Sequence, residues 1–322
     1  MAKLIGEKNY DKLMRTVVEP GLQAMREEID MPLADGGTLH AEVYNRYDAH
    51  RAVVILHGYT ESAEKFREMA WYLINAGYSV FAMDQRGHGR SVRAVEDTSI
   101  THVDRFGDYL SDLEQFMDQV VRPRMGDAPL YLLAHSMGGA VGALALMEHP
   151  DWFVRAVLTS PMIAAVTKPL PFPAAMATAK LGCRMGKAKQ RAFVGKPFDP
   201  ERETLETSCS TSLARFSYYK EKRMRNPHLQ NCSPTYGWLK EALGVTAVLL
   251  DPENVKKIKT PLLLCQAKQE YIVGLEEQDR FVAMVEGAQK RVFDGRHELY
   301  LSDDAVLGEY LDALLEFYAQ EN

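Results

Sequence analysis

Cysteine and excess charge are both scarce in this sequence of 322 residues. Only four cysteines occur, with no CxxC pair and no spacing typical of a zinc site: Cys183, Cys209, Cys232 and Cys265. The pattern favours reduced thiols in a cytosolic protein, although the spacing within 183–232 also allows a disulfide. The net charge is only −6, so no excess of positive charge indicates a nucleic-acid partner.

Long apolar segments are lacking as well. The start of the chain, MAKLIGEKNYDKLMR, has no apolar core of the kind found in a secretory signal, so we expect a cytoplasmic protein. The longest uncharged stretch of the first half, 128–147, has the length of a membrane span. It contains Pro129, His135 and Gly138-Gly139, and therefore predicts a buried strand, a tight turn and a buried helix. We predict no transmembrane segment.

Strand and helix patterns alternate along most of the chain. Short apolar, β-branched segments predict strands over 53–56, 78–83, 130–134, 155–159, 261–266 and 289–293. Apolar side chains at helical spacing predict helices over 63–76, 104–121, 137–147, 275–286 and 305–318. An antiparallel hairpin is predicted over 29–47, around Asp35-Gly36-Gly37. The order predicts the α/β fold class, with a mostly parallel central sheet flanked by helices.

The alternation stops between about 161 and 255, where the run KPLPFP opens a largely helical insertion. From 168 to 241 the chain has 14 Lys and Arg but only six Asp and Glu, a net charge of +8, which leaves −14 on the remainder. We therefore predict three segments: a first part of the core over 1–160, a basic, mainly helical cap over 161–255, and a second part of the core over 256–322.

The segment Ala134-His135-Ser136-Met137-Gly138 resembles the G-x-S-x-G turn of nucleophilic serines, with Ala in the first Gly position. Such a serine lies on a sharp strand-to-helix turn, where the residues two before and two after it crowd each other and must be small. An apolar strand precedes the turn and a helix of small residues follows it. Free N–H groups at the start of that helix favour negative charge. We predict that Ser136 is a nucleophile.

A serine needs a base, and the base needs an orienting acid. His297 lies in DGRHE, directly after the last predicted strand, where a loop can reach back to the end of the sheet. Glu270 is the carboxylate of QAKQEYIV, which follows the strand predicted over 261–266. This order of serine, acid and histidine is that of the α/β-hydrolases. We predict His297 as the base and Glu270 as the acid, with Asp294 as the rival acid.

The negative charge that develops on a reacting carbonyl requires two N–H donors. We predict the backbone N–H groups of Met137 and of Tyr59, which follows Gly58 in HGYTES. The segment DQRGHGRS at 84–91 is predicted to position that loop. Three histidines are predicted to have structural rather than catalytic roles: His57, His88 and His135.

Together these motifs resemble a known family. HGYTES, MDQRGHGRS, LAHSMGG, QAKQE and GRHE are similar to motifs of the monoacylglycerol-lipase-like branch of the α/β-hydrolases, and within it of bacterial lysophospholipases of the L-two type. The resemblance covers 29–318. It implies a catalytic triad of Ser136, Glu270 and His297, with Tyr59 and Met137 as oxyanion donors. Two positions depart from the family pattern: Ala134 replaces the commoner Gly, and Glu270 stands where many relatives carry Asp.

The resemblance implies a two-step acyl transfer that needs no metal and no organic cofactor. It also implies a lipid ester substrate with one acyl chain, a lysophospholipid above all, with a monoacylglycerol as the alternative. Two other classes stay open. One is a carboxylesterase or thioesterase acting on small esters, and the other is a non-catalytic binding protein with a hydrolase fold.

The basic insertion predicts attraction to anionic head groups and peripheral contact with an anionic membrane surface, at the inner membrane face. The alternative is a solvated face matched to the acidic core. Five apolar side chains predict either an adaptable acyl groove or the core of the cap: Met162, Leu170, Phe172, Met176 and Met185. Nothing in the sequence indicates an oligomeric state.

Overall fold

A computed structural model describes residues 4–46 and 48–320 of the chain. The strands within these residues are β1 Arg26–Pro32, β2 Thr38–Tyr44, β3 Ala52–Leu56, β4 Ser79–Met83, β5 Ile100–Thr101, β6 Leu130–His135, β7 Arg155–Thr159, β8 Ser233–Pro234, β9 Leu262–Gln269 and β10 Gln289–Arg296. The helices are α1 Tyr10–Leu13, α2 Glu19–Gln23, α3 Arg67–Asn75, α4 Gly107–Phe116, α5 Arg122–Met125, α6 Met137–Glu148, α7 Phe172–Arg184, α8 Leu213–Arg225, α9 Tyr236–Leu249, α10 Pro252–Val255, α11 Leu275–Met284 and α12 Asp304–Ala319.

Eight strands form one sheet in the order β1-β2-β4-β3-β6-β7-β9-β10. The pairings of β2 with β1 and with β4 are antiparallel, and all pairings from β4 through β3 to β10 are parallel. The short strands β5 and β8 pair only with each other. The prediction of a mostly parallel sheet with a leading antiparallel hairpin is thus confirmed.

Helices cover both faces of the sheet, and each face has its own apolar core. Side chains of α4, α6 and α11 pack on one face, and those of α3 and α12 pack on the other. The central strands β3, β4 and β7 are buried along their whole length, as expected for parallel strands covered on both sides. This arrangement confirms the predicted fold class.

Several observed boundaries differ from the predicted ones. The strand predicted over 261–266 extends as β9 to Gln269, and that predicted over 289–293 extends as β10 to Arg296. Apolar periodicity missed these ends because their residues are largely exposed or polar. The hairpin begins earlier than predicted, at Arg26, and its predicted last residue, Tyr47, lies outside the described residues.

The helix predicted over 104–121 begins at Gly107 and continues to Met125 through a π-helical turn, Met117–Val121. A similar π-helical turn, Met14–Val18, joins α1 to α2. Each turn is followed at once by a segment with a proline, Pro123 or Pro20. Because proline has no N–H to donate to the preceding turn, a local change in hydrogen bonding accommodates it.

The insertion between β7 and β9 contains the four helices α7 to α10 and the short strand β8. Its helix α8 is fixed to the core through Arg215, whose side chain is completely buried. The Arg215 guanidinium lies 3.1 Å from the Glu68 carboxylate and 3.0 Å from that of Asp304, and donates to the Ile5 carbonyl at 2.9 Å. A buried charge is stable only when it is paired and hydrogen-bonded in this way.

Two further expectations concern cysteines and membrane spans. All four cysteines are free thiols, in agreement with the expectation of reduced cysteines. Among the described residues, no helix combines the length and the apolar character needed to cross a bilayer.

The packing of α6 against the sheet depends on its glycines. A Cβ atom at Gly138 would lie 2.3 Å from the Leu56 carbonyl oxygen and 2.5 Å from that of His57. Gly139 is similarly close to Pro161, at 2.7 Å. The small residues therefore let the start of α6 approach the end of β3 closely.

We expect Gly138→Ala to destabilise the fold by about 1–3 kcal/mol or more, because backbone atoms of β3 would have to move. The matched control is Gly244→Ala in α9, where a Cβ atom meets nothing within 4 Å. There the substitution should stabilise the protein by roughly 0.5–1 kcal/mol, since alanine favours the helix. Urea denaturation measures the free energy of unfolding of each variant. A change of the same sign and size in both would contradict this packing.

Candidate active site

Ser136 occupies the sharp turn between β6 and α6. Its φ of 52° and ψ of −118° lie outside the regions favoured by residues with a side chain, so the backbone is strained. Two main-chain contacts hold it there: the Ser136 N–H donates to the Thr159 carbonyl at 3.0 Å, and the Ser136 carbonyl accepts from the Met162 N–H at 2.8 Å. The strand-to-helix turn predicted from the motif is present.

The small residues of this turn face different neighbours. A Cβ atom built on Gly142 would lie 3.0 Å from that of the buried Ala134, whereas Gly138 approaches the end of β3. The nearest neighbours of residues 134 and 138 thus lie in different elements, and the expectation that these two residues crowd each other stays a prediction. Alanine fits at 134 because Gly142, one turn into α6, leaves room for its methyl group.

His297 directly follows β10 and lies beside Ser136. Its Nε2 atom is 2.8 Å from Ser136 Oγ, and its Nδ1 atom is 2.7 Å from Glu270 Oε2. The His297 side chain is 6% exposed, and the Glu270 side chain is fully shielded from solvent. The rival acid Asp294 instead lies on β10 with a largely exposed carboxylate that accepts from Gln269 at 3.3 Å.

The loop after β9 holds the Glu270 carboxylate in place. Its Oε1 atom accepts the N–H groups of Tyr271, Ile272 and Val273 at 2.9, 2.7 and 3.3 Å, which leaves Oε2 for His297. This bend over its own loop lets the longer glutamate reach the imidazole. Burial raises the pKa of Glu270, but the hydrogen bond and attraction of His297 and these N–H groups outweigh it, so the pKa lies below its ordinary value.

The loop with Tyr59 packs directly on the serine turn. A Cβ atom at Gly58 would lie 3.0 Å from Ser136 Cβ, so only glycine allows this approach. The Tyr59 N–H donates to no group in the described part of the chain. Met137 is the first residue of α6, where an N–H group has no partner within the helix. Two free donors thus flank the turn of Ser136, and the Tyr59 ring packs on Trp238 of α9.

Sequence reasoning missed a buried network of charged residues behind these loops. Glu61 accepts the Gly58 N–H at 2.5 Å, the Lys65 ammonium at 3.0 Å and the Tyr300 hydroxyl at 2.5 Å. Lys65 also contacts Glu298, the neighbour of His297, at 2.6 Å. Burial raises the pKa of Glu61, but the charge of Lys65 and the Tyr300 hydrogen bond hold it below its ordinary value. The spacing of Glu61 and Lys65, four residues apart, was the available signal.

The segment 84–91 and three histidines have the structural roles that were predicted. Asp84 accepts the Ala63 N–H at 2.7 Å and the Arg90 N–H at 2.9 Å, which ties its own turn to the loop after β3. His57 accepts the Gln85 N–H at 2.9 Å, and His135 lies 3.1 Å from the Thr159 carbonyl. Burial lowers the pKa of His57, His88 and His135, which keeps all three neutral.

The apolar side chains considered for an acyl groove separate into two groups. Met162 is buried in the core next to the Ser136 turn. Phe172 and Met185 are exposed on the insertion, at 38% and 59%. The latter two therefore do not form the core of the cap.

Comparison with known proteins identifies the family of the chain. Residues 47–304 match the model of the family described as serine aminopeptidase, S33. The chain belongs to this family. Lysophospholipase L2 of Escherichia coli K12 is 33% identical over 291 residues, which cover 84% of this chain and 81% of the relative. Human monoglyceride lipase is 33% identical over 133 residues, which cover 41% of this chain and 42% of that protein.

Solved structures of the same fold include members with low sequence identity. A soluble variant of monoglyceride lipase from Saccharomyces cerevisiae has a TM-score of 0.71 at 16% identity, covering 91% of this chain and 95% of that one. A carboxyl esterase from Bacillus coagulans has a TM-score of 0.73 at 16% identity, covering 91% and 97%. These likenesses concern the fold, and with the family they confirm the prediction of a serine hydrolase with an α/β-hydrolase fold.

For this member of the S33 family we expect Glu270→Gln to lower kcat/KM by roughly 10³–10⁴-fold, because an amide does not hold the reactive tautomer of the imidazole. The same variant tests the lowered pKa of Glu270. Since the folded-state pKa of Glu270 is lowered, ionised Glu270 contributes stability at neutral pH that is lost as the pH falls through that pKa. Between about pH 5 and about pH 3, wild type should lose more free energy of unfolding than Glu270→Gln.

Urea titrations at both pH values provide the measurement, with Asp294→Asn as the matched control on the exposed rival. The assignment of Glu270 would fail if Asp294→Asn lost the activity and Glu270→Gln kept it.

Proposed function

We propose that the chain is a lysophospholipase that removes the acyl chain of single-chain lipids, with Ser136, His297 and Glu270 as its catalytic triad. The observation that carries the proposal is the continuous line of hydrogen bonds from Ser136 Oγ through the imidazole to Glu270. The relative named lysophospholipase L2 is 33% identical over 84% of this chain, whereas a relative named monoglyceride lipase homolog, which covers 79% of this chain, is 27% identical. This difference favours the lysophospholipid over the monoacylglycerol.

The first step forms an acyl-enzyme. His297 Nε2 takes the proton of Ser136 Oγ as the oxygen attacks the ester carbonyl, and Glu270 stabilises the resulting imidazolium. The N–H groups of Tyr59 and Met137 receive the charge that develops on the carbonyl oxygen, and loss of one such donor typically lowers turnover by about 10²–10³-fold. The C–O bond then breaks, and His297 gives its proton to the oxygen of the leaving alcohol.

The second step releases the fatty acid. Water replaces the alcohol beside His297, which takes one of its protons as the water oxygen attacks the acyl carbonyl. The bond to Ser136 Oγ breaks, and the serine regains its proton from the imidazolium. Enzyme and carboxylic acid remain, so the protein groups alone account for both proton transfers.

The substrate proposal is tested with lysophosphatidylcholine and monoacylglycerol of the same acyl chain. We expect hydrolysis of the lysophospholipid, labelling of the wild type by a fluorophosphonate, and loss of both in Ser136→Ala, whose turnover should fall by roughly 10⁵–10⁶-fold. Ser160→Ala is the matched control, since Ser160 follows the neighbouring strand and also has a positive φ. Hydrolysis of monoacylglycerol alone, or of short esters alone, would contradict the proposed lysophospholipase activity.

We further propose that residues 161–255 form a cap that contacts an anionic membrane surface. The cations of the insertion divide into two groups. Lys222 of α8 pairs with Glu19 and with Glu64 of the core. Lys180 and Arg184 of α7, and Lys187 three residues after its end, are exposed and form no ion pair within the described residues. Charge pairing with the acidic core thus accounts for Lys222 of α8. The unpaired cations at the end of α7 remain for contact with a membrane.

Apolar side chains lie among these unpaired cations. Leu181 is 57% exposed and Met185 is 59% exposed, on the same stretch of α7 as Lys180 and Arg184. Exposed apolar residues combined with Lys and Arg are typical of surfaces that lie on anionic lipid head groups. Such contact would bring the candidate site close to its lipid substrate.

The membrane proposal predicts weaker binding after removal of three charges, Lys180→Gln, Arg184→Gln and Lys187→Gln. Each is worth about 1 kcal/mol near an anionic surface, so affinity for phosphatidylglycerol vesicles should fall roughly 100-fold in co-sedimentation. The control carries Lys256→Gln, Lys257→Gln and Lys259→Gln, which precede β9 and therefore lie at the opposite edge of the sheet. Equal losses in both triple variants would contradict a specific cap contact.

A further inference from the structure

A cavity of about 200 Å³ borders the candidate active site. Thr60, the residue after Tyr59, and Glu298, the residue after His297, both line it. The opposite wall is formed by α8 and by the segment 203–209. A single water needs only about 10–15 Å³ of such space, so the cavity has room for a much larger group. No step of the mechanism above assigns it a ligand.

Three cations line the cavity, and one of them lacks a carboxylate partner. Lys65 is paired with Glu61 and Glu298, and Arg223 is paired with Glu203. Lys220 donates only to the backbone carbonyl of Glu203, at 2.8 Å, within the part of the chain that the structure describes. An ammonium group has three donors, so two N–H groups of Lys220 remain for a ligand.

A second unsatisfied group lies next to Lys220 in the same helix. The Tyr219 hydroxyl is buried and has no hydrogen-bond partner among the described residues, although Tyr219 lines the cavity. Leaving such a hydroxyl unsatisfied typically costs about 1–3 kcal/mol, so its presence points to a partner that binds there. Burial raises the pKa of Tyr219 to about 12, which keeps the hydroxyl protonated and able to donate.

The position of the cavity decides which part of a substrate reaches it. The oxygen of the leaving alcohol must lie within hydrogen-bond reach of His297 Nε2 in order to receive its proton. The remainder of the alcohol therefore extends on the side of the histidine, where Glu298 opens onto the cavity. Most of the lining residues are charged or carry a hydroxyl, so the cavity offers hydrogen-bonding partners to a polar group of the alcohol.

We propose that this cavity binds the phosphate of the lysophospholipid head group, with Lys220 Nζ and the Tyr219 hydroxyl as donors. The inference rests on the proposed function and adds the group that distinguishes a lysophospholipid from a monoacylglycerol. A phosphate diester carries one negative charge and several acceptor oxygens, so it satisfies both the unpaired ammonium and the unpartnered hydroxyl. Neither a neutral glycerol nor a fatty acyl chain offers this match.

The test compares Tyr219→Phe and Lys220→Met on two substrates that share one acyl chain and are used below their aggregation limits. We expect kcat/KM for the lysophospholipid to fall about 10-fold or more in each variant, and that for the monoacylglycerol to stay within about 2-fold. Lys220→Arg should retain most of the lysophospholipid activity, since it keeps the charge. Arg225→Gln is the matched control, because it removes one exposed charge from the same helix outside the cavity.

A second measurement does not depend on lipid hydrolysis. Glycerol 3-phosphate should competitively inhibit cleavage of a soluble nitrophenyl ester by the wild type, and about 10-fold more weakly in Lys220→Met. Equal losses on both lipids, or unchanged lysophospholipid activity, would overturn the head-group site while leaving the proposed function intact. A wild type that cleaves no lysophospholipid would instead overturn the proposed function, and the head-group site with it.

Discussion

The hydrogen bond between Ser136 and His297 joins residues that are 161 positions apart in the chain, and the sheet makes it possible. Ser136 follows β6, Glu270 follows β9 and His297 follows β10, so each comes directly after a strand. Because β6, β7, β9 and β10 are parallel neighbours in the sheet, their carboxyl ends meet at one edge. The other residues near the site either hold these three side chains in position or form the walls around them.

The residues that hold the site in place form a mostly buried, charged network. Its stability therefore depends on every member having its partner. Glu61 lies under the Tyr59 loop, and Lys65 connects it to Glu298 beside His297. Removing one member would leave a charge buried without its counter-ion, a far larger loss than that of a surface ion pair. The same network therefore couples the position of the free N–H donor at Tyr59 to that of the imidazole.

The sequence predicted the parts of this structure that depend on local patterns. Apolar periodicity identified the strands and helices of the sheet, and the order of the motifs after successive strands indicated Ser136, Glu270 and His297. It missed the polar ends of β9 and β10, where the periodic signal fades although pairing continues. It also missed pairs such as Arg215 with Glu68, 147 residues apart, because a sequence records each charge but not the element that it will face.

The net charge of the insertion does not distinguish cations that pair with the core from cations that are unpaired at the surface. The net charge of +8 over residues 168–241 was equally compatible with a match to the acidic core and with a surface for anions. In the structure, Arg215 and Lys222 of α8 are paired with core carboxylates, whereas Lys180 and Arg184 of α7, and Lys187 just after it, form no ion pair within the described residues. Helix α8 is therefore fixed to the core, and its inner side can present Tyr219 and Lys220 at defined positions beside His297. We therefore assign the proposed head-group site to α8 and the proposed membrane contact to the end of α7, where the cations are unpaired among the described residues.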